Sequence, residues 1–169
     1  MGQERIVSDK EFAEICKRFN EYKVEYITCG AFASKLHGIE RVSGQVRFTT
    51  DMDFIVKRSK ENVKRIKRAL RDIIPEIEEL KLQDLGQYRT TKIVSSKYDI
   101  DLTSNLWGVD YEKAYKEKVI KEINGVKIPV VSIDHLLEMK KDSFRTRDTA
   151  DTFWLTKIKE KQKESNKVY

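Results

Sequence analysis

Residues 49–56 read "TTDMDFIV", Thr49 to Val56. The run ends as a β-strand should, in aromatic and branched apolar residues, yet it opens with two carboxylates. On a strand, residues two apart project from one face, about 7 Å apart along the backbone. Asp51 and Asp53 therefore point together, away from the side taken by Met52 and Phe54. A second such pair, Asp99 and Asp101, stands in "YDIDL". One pair alone could simply face water at a strand end, but two pairs embedded in apolar residues on separate strands predict a shared acidic site. Two carboxylates about 5 Å apart repel by roughly 3 kcal/mol at an effective dielectric near 20, so such a site calls for a cation. Oxygen donors without a histidine or cysteine cluster suit Mg²⁺ or Mn²⁺ rather than Zn²⁺. Two such ions, about 4 Å apart and bridged by carboxylates, can activate an attacking hydroxyl and stabilise a leaving oxygen in phosphoryl or nucleotidyl transfer.

The flanking sequence supplies a second feature. "VEYITCG" reads as a short strand stopped by Gly30, and "AFASKLHG" as a short helix starting at that glycine. Glycine lets the backbone approach a ligand closely, and the unpaired N–H groups of a helix start attract anions, so the turn at Gly30 and Ala31 is a candidate phosphate contact. The pattern of a P-loop is missing.

Elsewhere the periodicities alternate between helix and strand. Ser8 and Glu11 cap a first amphipathic helix, "SDKEFAEICKRFNEY", with Phe12, Ile15 and Phe19 on its inner face. "SKENVKRIKRALRDII" is a capped helix with Val63, Ile66, Leu70 and Ile73 inward, stopped or restarted at Pro75. Its Lys60, Lys64, Lys67, Arg68 and Arg71 recur at helical spacing as a basic row, read first as a solvated face and second as a phosphate-backbone contact. "QYRTTKIVSS" and "YDIDLTSN" alternate as neighbouring antiparallel strands, and Asn124-Gly125 marks a hairpin between "VIKEI" and "VKIPVV". "DYEKAYKEK" is a short helix, Ser132 caps "IDHLLEMKKD", and "RDTADTFWLTKIKEKQKE" is a final helix. These elements predict an α/β (α+β) fold, a small mixed sheet flanked by helices, in a single domain over 1–169 with a helical C-terminal segment at about 132–165.

With 169 residues the chain is long enough for a core without disulfides, and its net charge of +6 makes nucleotides and nucleic acids plausible partners. Cys16 and Cys29 match no metal spacing or disulfide framework and read as buried thiols of a reducing, cytoplasmic compartment. Neither a signal peptide nor a membrane span is legible.

With those residues in place, the chain resembles the nucleotidyltransferase superfamily that includes DNA polymerase β, and within it the abortive-infection type toxins and their small relatives. The resemblance rests on the ordered series "CGAFASKLHG", "DMDF" and "IDL", with His37-Gly38, Arg47-Phe48-Thr49-Thr50-Asp51-Met52-Asp53, and Leu136, Lys140, Arg145, Asp148 and Asp151, spanning roughly residues 25–155. It implies that Asp51, Asp53 and Asp101 are catalytic and hold Mg²⁺ or Mn²⁺ as two ions, with Asp101 also the base for the acceptor hydroxyl and Asp99 its alternative. It further implies nucleotide contacts from Gly30, Ala31, Arg47, Thr49, Lys140, Arg145 and Asp148. Arg145, Asp148 and Asp151 could instead form ion pairs between the last helices, and His37 reads as a packed or capping residue. The expected activity is transfer of an NMP from an NTP to a hydroxyl of an RNA end or a protein side chain, with release of pyrophosphate. The rival is a non-catalytic member of the fold, binding nucleotide or a cognate antitoxin-like partner. A sugar-nucleotide transferase using D-x-D with Mn²⁺ is disfavoured by the glycine turn and the late Lys140 motif. Two departures bear on this. Ala31 stands where a second Gly or a Ser is usual, removing a hydroxyl but not the N–H, and the loop over 39–47 is longer than in the relatives.

Overall fold

The computed structural model describes residues 5–86, 89–141 and 146–167. Six strands form one mixed sheet in the order β3-β4-β2-β1-β8-β7. They are β1 (Tyr26–Cys29), β2 (Asp51–Val56), β3 (Thr90–Ile93), β4 (Asp99–Thr103), β7 (Val119–Ile123) and β8 (Val126–Val130). A separate two-stranded hairpin, β5 (Asn105–Leu106) and β6 (Val109–Asp110), follows β4. The helices are α1 (Asp9–Glu21), α2 (Gly30–Leu36), α3 (Ile39–Ser43), α4 (Lys60–Leu70), α5 (Tyr111–Lys116), α6 (Ile133–Lys140) and α7 (Thr146–Lys167).

Capping chemistry sets most helix starts as the sequence predicts. Ser8 and Glu11 form a full capping box on α1, and Ser59, Asp110 and Ser132 accept from the third residue of their helices. After α4 the chain continues in a 3-10 turn from Pro75. Asn124 and Gly125 take positive φ in the β7–β8 turn, the two-residue geometry that suits the twist of a hairpin. Within residues 39–47, read as an irregular loop, a short helix forms between Gly38 (φ 95°) and Gly44 (φ 72°).

The two faces of β2 separate its apolar residues from its carboxylates. Met52, Phe54 and Val56 are fully buried, and Phe54 joins an aromatic cluster with Phe12 and Phe19 of α1 and Tyr26 of β1. Phe32 of α2 stacks on Phe12 with centroids 4.0 Å apart. Each such side chain contributes about 1.5–3 kcal/mol on burial, which pins β2 with one face inward. Its other face carries Asp51 and Asp53.

Register then gathers the carboxylates. β2 and β4 run parallel with Asp51 opposite Asp99 and Asp53 opposite Asp101, while Ile100 and Leu102 face the core. On the far side of β4, antiparallel β3 places Lys92 opposite Asp101, and on the far side of β2, Cys29 ends β1 opposite Asp53. Asn62, fully buried in α4, accepts from Glu25 N and donates to Glu25 O and Lys57 O at 2.8–3.0 Å, tying the free ends of β1 and β2 to the helix.

Candidate active site

A cleft of about 460 Å³ opens over the acidic face of the sheet. Asp51, Asp53 and Asp101 line it, with Gly30 and Ala31 at the start of α2 and Lys140, Asp148 and Asp151 from the last two helices. Leu106, Leu136 and Met139 supply an apolar wall. Asp99 instead lines a neighbouring pocket with Arg5, Thr50 and Tyr98, so of the second pair it is Asp101 that faces the cleft.

The glycine at the turn is dictated by a carboxylate. Gly30 has φ +68°, and a Cβ there would lie 2.2 Å from Asp53 Oδ2 and 2.8 Å from Asp53 Cβ. Helix α2 can start against β2 only where no side chain intervenes, which is the close backbone approach that glycine permits.

Crowding perturbs the acids. Burial, then the charge of Asp101 and a hydrogen bond to it, push Asp53 up to about 7, against the opposing charge of Lys92. Asp101 is also raised, first by burial, although its hydrogen bond with Asp53 and the nearby Lys92 pull it back. Two acids this close resist ionising together, so both lie above the ordinary carboxylate range. Lys92 answers the demand for a cation: its Nζ lies 3.3 Å from Asp51 Oδ2 and 3.5 Å from Asp101 Oδ1. Burial weakens its charged form, but the two carboxylates more than compensate and its pKa rises. The sequence reading missed Lys92. The signal available was the period-two alternation of Thr90 and Lys92 in a strand read as the partner of "YDIDL".

The last two helices bring their motif residues together as an ion network. Lys140 Nζ donates to Asp148 Oδ1 at 3.0 Å and Asp151 Oδ2 at 3.3 Å, and Arg47 pairs with the buried Asp151. Asp148 and Lys140 reach the cleft wall, whereas Arg47 stands behind Asp151. Thr49 lines the cleft, but its hydroxyl is engaged with the backbone of Asp51, donating to the carbonyl at 3.0 Å and accepting from the N–H at 3.3 Å. Arg145 lies outside the described residues. His37 is buried with Nε2 2.7 Å from Val131 O; a carbonyl only accepts, so Nε2 carries the proton. Cys29 also lines the cleft, and burial, reinforced by the charge of Asp53, raises its thiol well above the usual range. Both cysteines are free and buried, as predicted.

No protein-family model matches the sequence, and no curated protein matches it. Among solved structures, the chain is similar to a Thermotoga maritima protein provisionally designated a nucleotidyltransferase, with a TM-score of 0.53 at 15% identity over 94% of this chain and 91% of that one. The fold is nucleotidyltransferase-like. The likeness spans nearly the whole chain and carries architecture alone. Two observations bear on a metal. Asp101 Oδ1 is buried and accepts no hydrogen bond among the described residues, and the donors are the hard oxygens that Mg²⁺ or Mn²⁺ prefers. Yet among the described residues no three His, Cys, Asp or Glu are arranged to hold a metal ion, with Lys92 reaching between Asp51 and Asp101. The donor chemistry fits a divalent cation, provided that Lys92 yields. Among the described residues, no helix is long and apolar enough to cross a membrane.

Proposed function

We propose that the protein is a metal-dependent nucleotidyltransferase that moves a nucleoside monophosphate from an NTP to a hydroxyl acceptor and releases pyrophosphate. The observation that carries this reading is the in-register parallel pairing of Asp53 with Asp101, which sets Asp51, Asp53 and Asp101 in one cleft facing Lys140.

Asp51, Asp53 and Asp101 would hold Mg²⁺ or Mn²⁺, as two ions. Bound there, the cations favour the alkoxide form of the acceptor and offset the charge that develops on pyrophosphate. The acceptor oxygen attacks the α-phosphorus, the bond from phosphorus to the bridging oxygen breaks, and Asp101 takes the hydroxyl proton. Lys140 contacts the triphosphate as a point charge. Asp148 and Asp151 hold its amine, and Arg47 in turn fixes Asp151, so Arg47 is a positioning residue in this reading. Gly30 and Ala31 offer backbone N–H groups to phosphate oxygens, which compensates in part for the hydroxyl that Ala31 lacks. The apolar wall of Leu106, Leu136 and Met139 suits a nucleobase. The acceptor is an RNA end or a protein side chain.

A second reading, a non-catalytic nucleotide-binding or partner-binding protein of an antitoxin-regulated pair, is favoured by Lys92, whose ammonium already pairs with both Asp51 and Asp101. Calorimetric titration of the four NTPs with and without Mg²⁺ or Mn²⁺, into wild type and Asp53→Asn, separates the two. Binding that needs the metal and is lost in the variant is expected. Metal-independent binding unchanged by Asp53→Asn would replace the catalytic reading with the binding one.

A further inference from the structure

At the other end of α2 from the acidic cleft lies a second, open cavity of about 720 Å³. His37, Arg41 of the short α3, Lys121 of β7 and the last turns of α7 line it. Three cations, Arg41, Lys121 and Lys161, face this space together with Gln162, Ser165 and Asn166, and among the described residues no carboxylate lines it. None of the three cations forms an ion pair among the described residues. Nearby lysines are neutralised: Lys35 binds Asp9 at 3.0 Å and Glu40 at 3.4 Å, and Lys159 pairs with Asp134. The carboxylate closest in sequence to Arg41 is therefore already committed to Lys35.

On α7 the spacing is that of one helix face. Ile158, Lys161, Gln162 and Ser165 follow at i, i+3, i+4 and i+7, so the apolar residue packs down while cation, amide and hydroxyl stand along the same side. Uncompensated cations in a concavity repel one another, and an anion relieves that repulsion while the amides and hydroxyl satisfy its remaining oxygens. The basic row of α4 is placed differently: its Lys60, Lys64 and Lys67 stand on an outer helix surface opposite Val63 and Ile66.

We propose that this cavity binds phosphate groups of the backbone of an RNA acceptor. The inference rests on the reading of the cleft only in taking RNA as the acceptor. What favours RNA over an isolated anion is continuity. The cleft and the cavity share α2 and α7, and Lys161 lies ten residues beyond the cleft residue Asp151, about 15 Å along the helix. A strand whose terminal hydroxyl enters the cleft can place phosphates from nucleotides further back in the cavity.

The test is fluorescence anisotropy of a labelled, unstructured single-stranded oligoribonucleotide titrated with protein over a range of KCl. The proteins are wild type, the triple variant Arg41→Glu/Lys121→Glu/Lys161→Glu, and a charge-matched control on α4, Lys64→Glu/Lys67→Glu/Arg68→Glu. Losing three phosphate contacts lowers the slope of log affinity against log salt by about 2 for a single strand, and the cavity triple should bind at least about tenfold more weakly at low salt. The α4 triple should keep the wild-type slope. Lys161→Ala alone, at an exposed helix position, should lower the slope by about 0.7 and guards against misfolding of the triple. Equal losses in both triples, an unchanged slope in the cavity triple, no RNA binding by wild type, or equally tight binding of polyglutamate would each overturn the proposal. NTP calorimetry on the cavity triple should match wild type. If wild type binds RNA through the cavity but binds no NTP, the reading of the cleft fails while the cavity assignment stands.

Discussion

Replacing Gly30 with alanine should destabilise the protein through a specific partner, Asp53. The added Cβ would lie 2.2 Å from Asp53 Oδ2 and 2.6 Å from its Cγ, at a backbone φ of +68°. The left-handed conformation costs about 1–2 kcal/mol for a residue with a Cβ, and forcing the carboxylate aside adds about 1–3 kcal/mol as in other overpacked sites. Alanine restricts the unfolded chain and returns about 0.4–1 kcal/mol. The net loss is about 2–4 kcal/mol in wild type. In an Asp53→Ala background the two closest contacts vanish, although Asp53 Cβ at 2.8 Å remains, so the backbone contribution of about 1–2 kcal/mol should dominate. Urea unfolding of the four proteins of this double-mutant cycle, followed by far-UV circular dichroism, should give a coupling of about 1–2 kcal/mol. Rotation of Asp53 away from the new methyl offers an escape, but it takes the carboxyl from its place beside Asp101, so the nucleotidyl transfer proposed for the cleft should fall even where stability recovers. A Gly30→Ala loss equal in both backgrounds to within about 0.5 kcal/mol would refute the argument that Asp53 dictates the glycine.

Lys92→Met should leave the acidic cluster without its protein cation. Because Lys92 is half exposed, its two contacts are worth only about 0.2–1 kcal/mol each, so apo stability should drop by about 1 kcal/mol. Mn²⁺ should then raise the melting temperature of the variant more than that of wild type, and equal shifts would show that Lys92 and a cation do not compete. His37 makes a pH prediction: burial, opposed by the bond to Val131 O and aided by Lys121, lowers its pKa. The proton then binds the unfolded chain more tightly, so the stabilisation from neutral His37 is complete above the unfolded value of about 6.5 and is lost as pH falls below it. The stability advantage of wild type over His37→Gln, measured by urea unfolding, should therefore shrink between about pH 7 and pH 5; a constant difference would contradict the assignment.

The elements that were legible in sequence are those whose signals are local. Ser8, Ser59 and Ser132 announce their helices by capping, Asn124-Gly125 its hairpin, and the alternation of Met52 and Phe54 with Asp51 and Asp53 the two faces of β2. What escaped is tertiary or too short to show a period. Strands of two residues, β5 and β6, have no periodicity to read, and their turn places Trp107 at positive φ, where asparagine, aspartate or glycine is the usual signal. Asn62 reads as one more polar position on a helix, yet it is fully buried because Glu25 and Lys57 offer backbone groups that only an amide can satisfy together.

The candidate site shows the same division at finer grain. That Asp51 and Asp53 share a face follows from the period of a strand, but that Asp53 meets Asp101 depends on the register between β2 and β4, which no local signal states. The hydrophobic residues decide it. A slip of β4 by one residue would turn Asp99 and Asp101 into the layer occupied by Phe54 and expose Ile100 and Leu102, both fully buried in the observed register. A slip by two would preserve the faces but set Asp99 opposite Asp53 and carry Asp101 two residues along, opposite Ile55. Core packing thus excludes odd registers, leaving the pairing of β3 with β4 and the close approach of Gly30 to Asp53 to fit the even one that is observed. The carboxylates, mutually repulsive, are held together by apolar residues on the opposite side of the same two strands, and the acidic cluster is stabilised from behind.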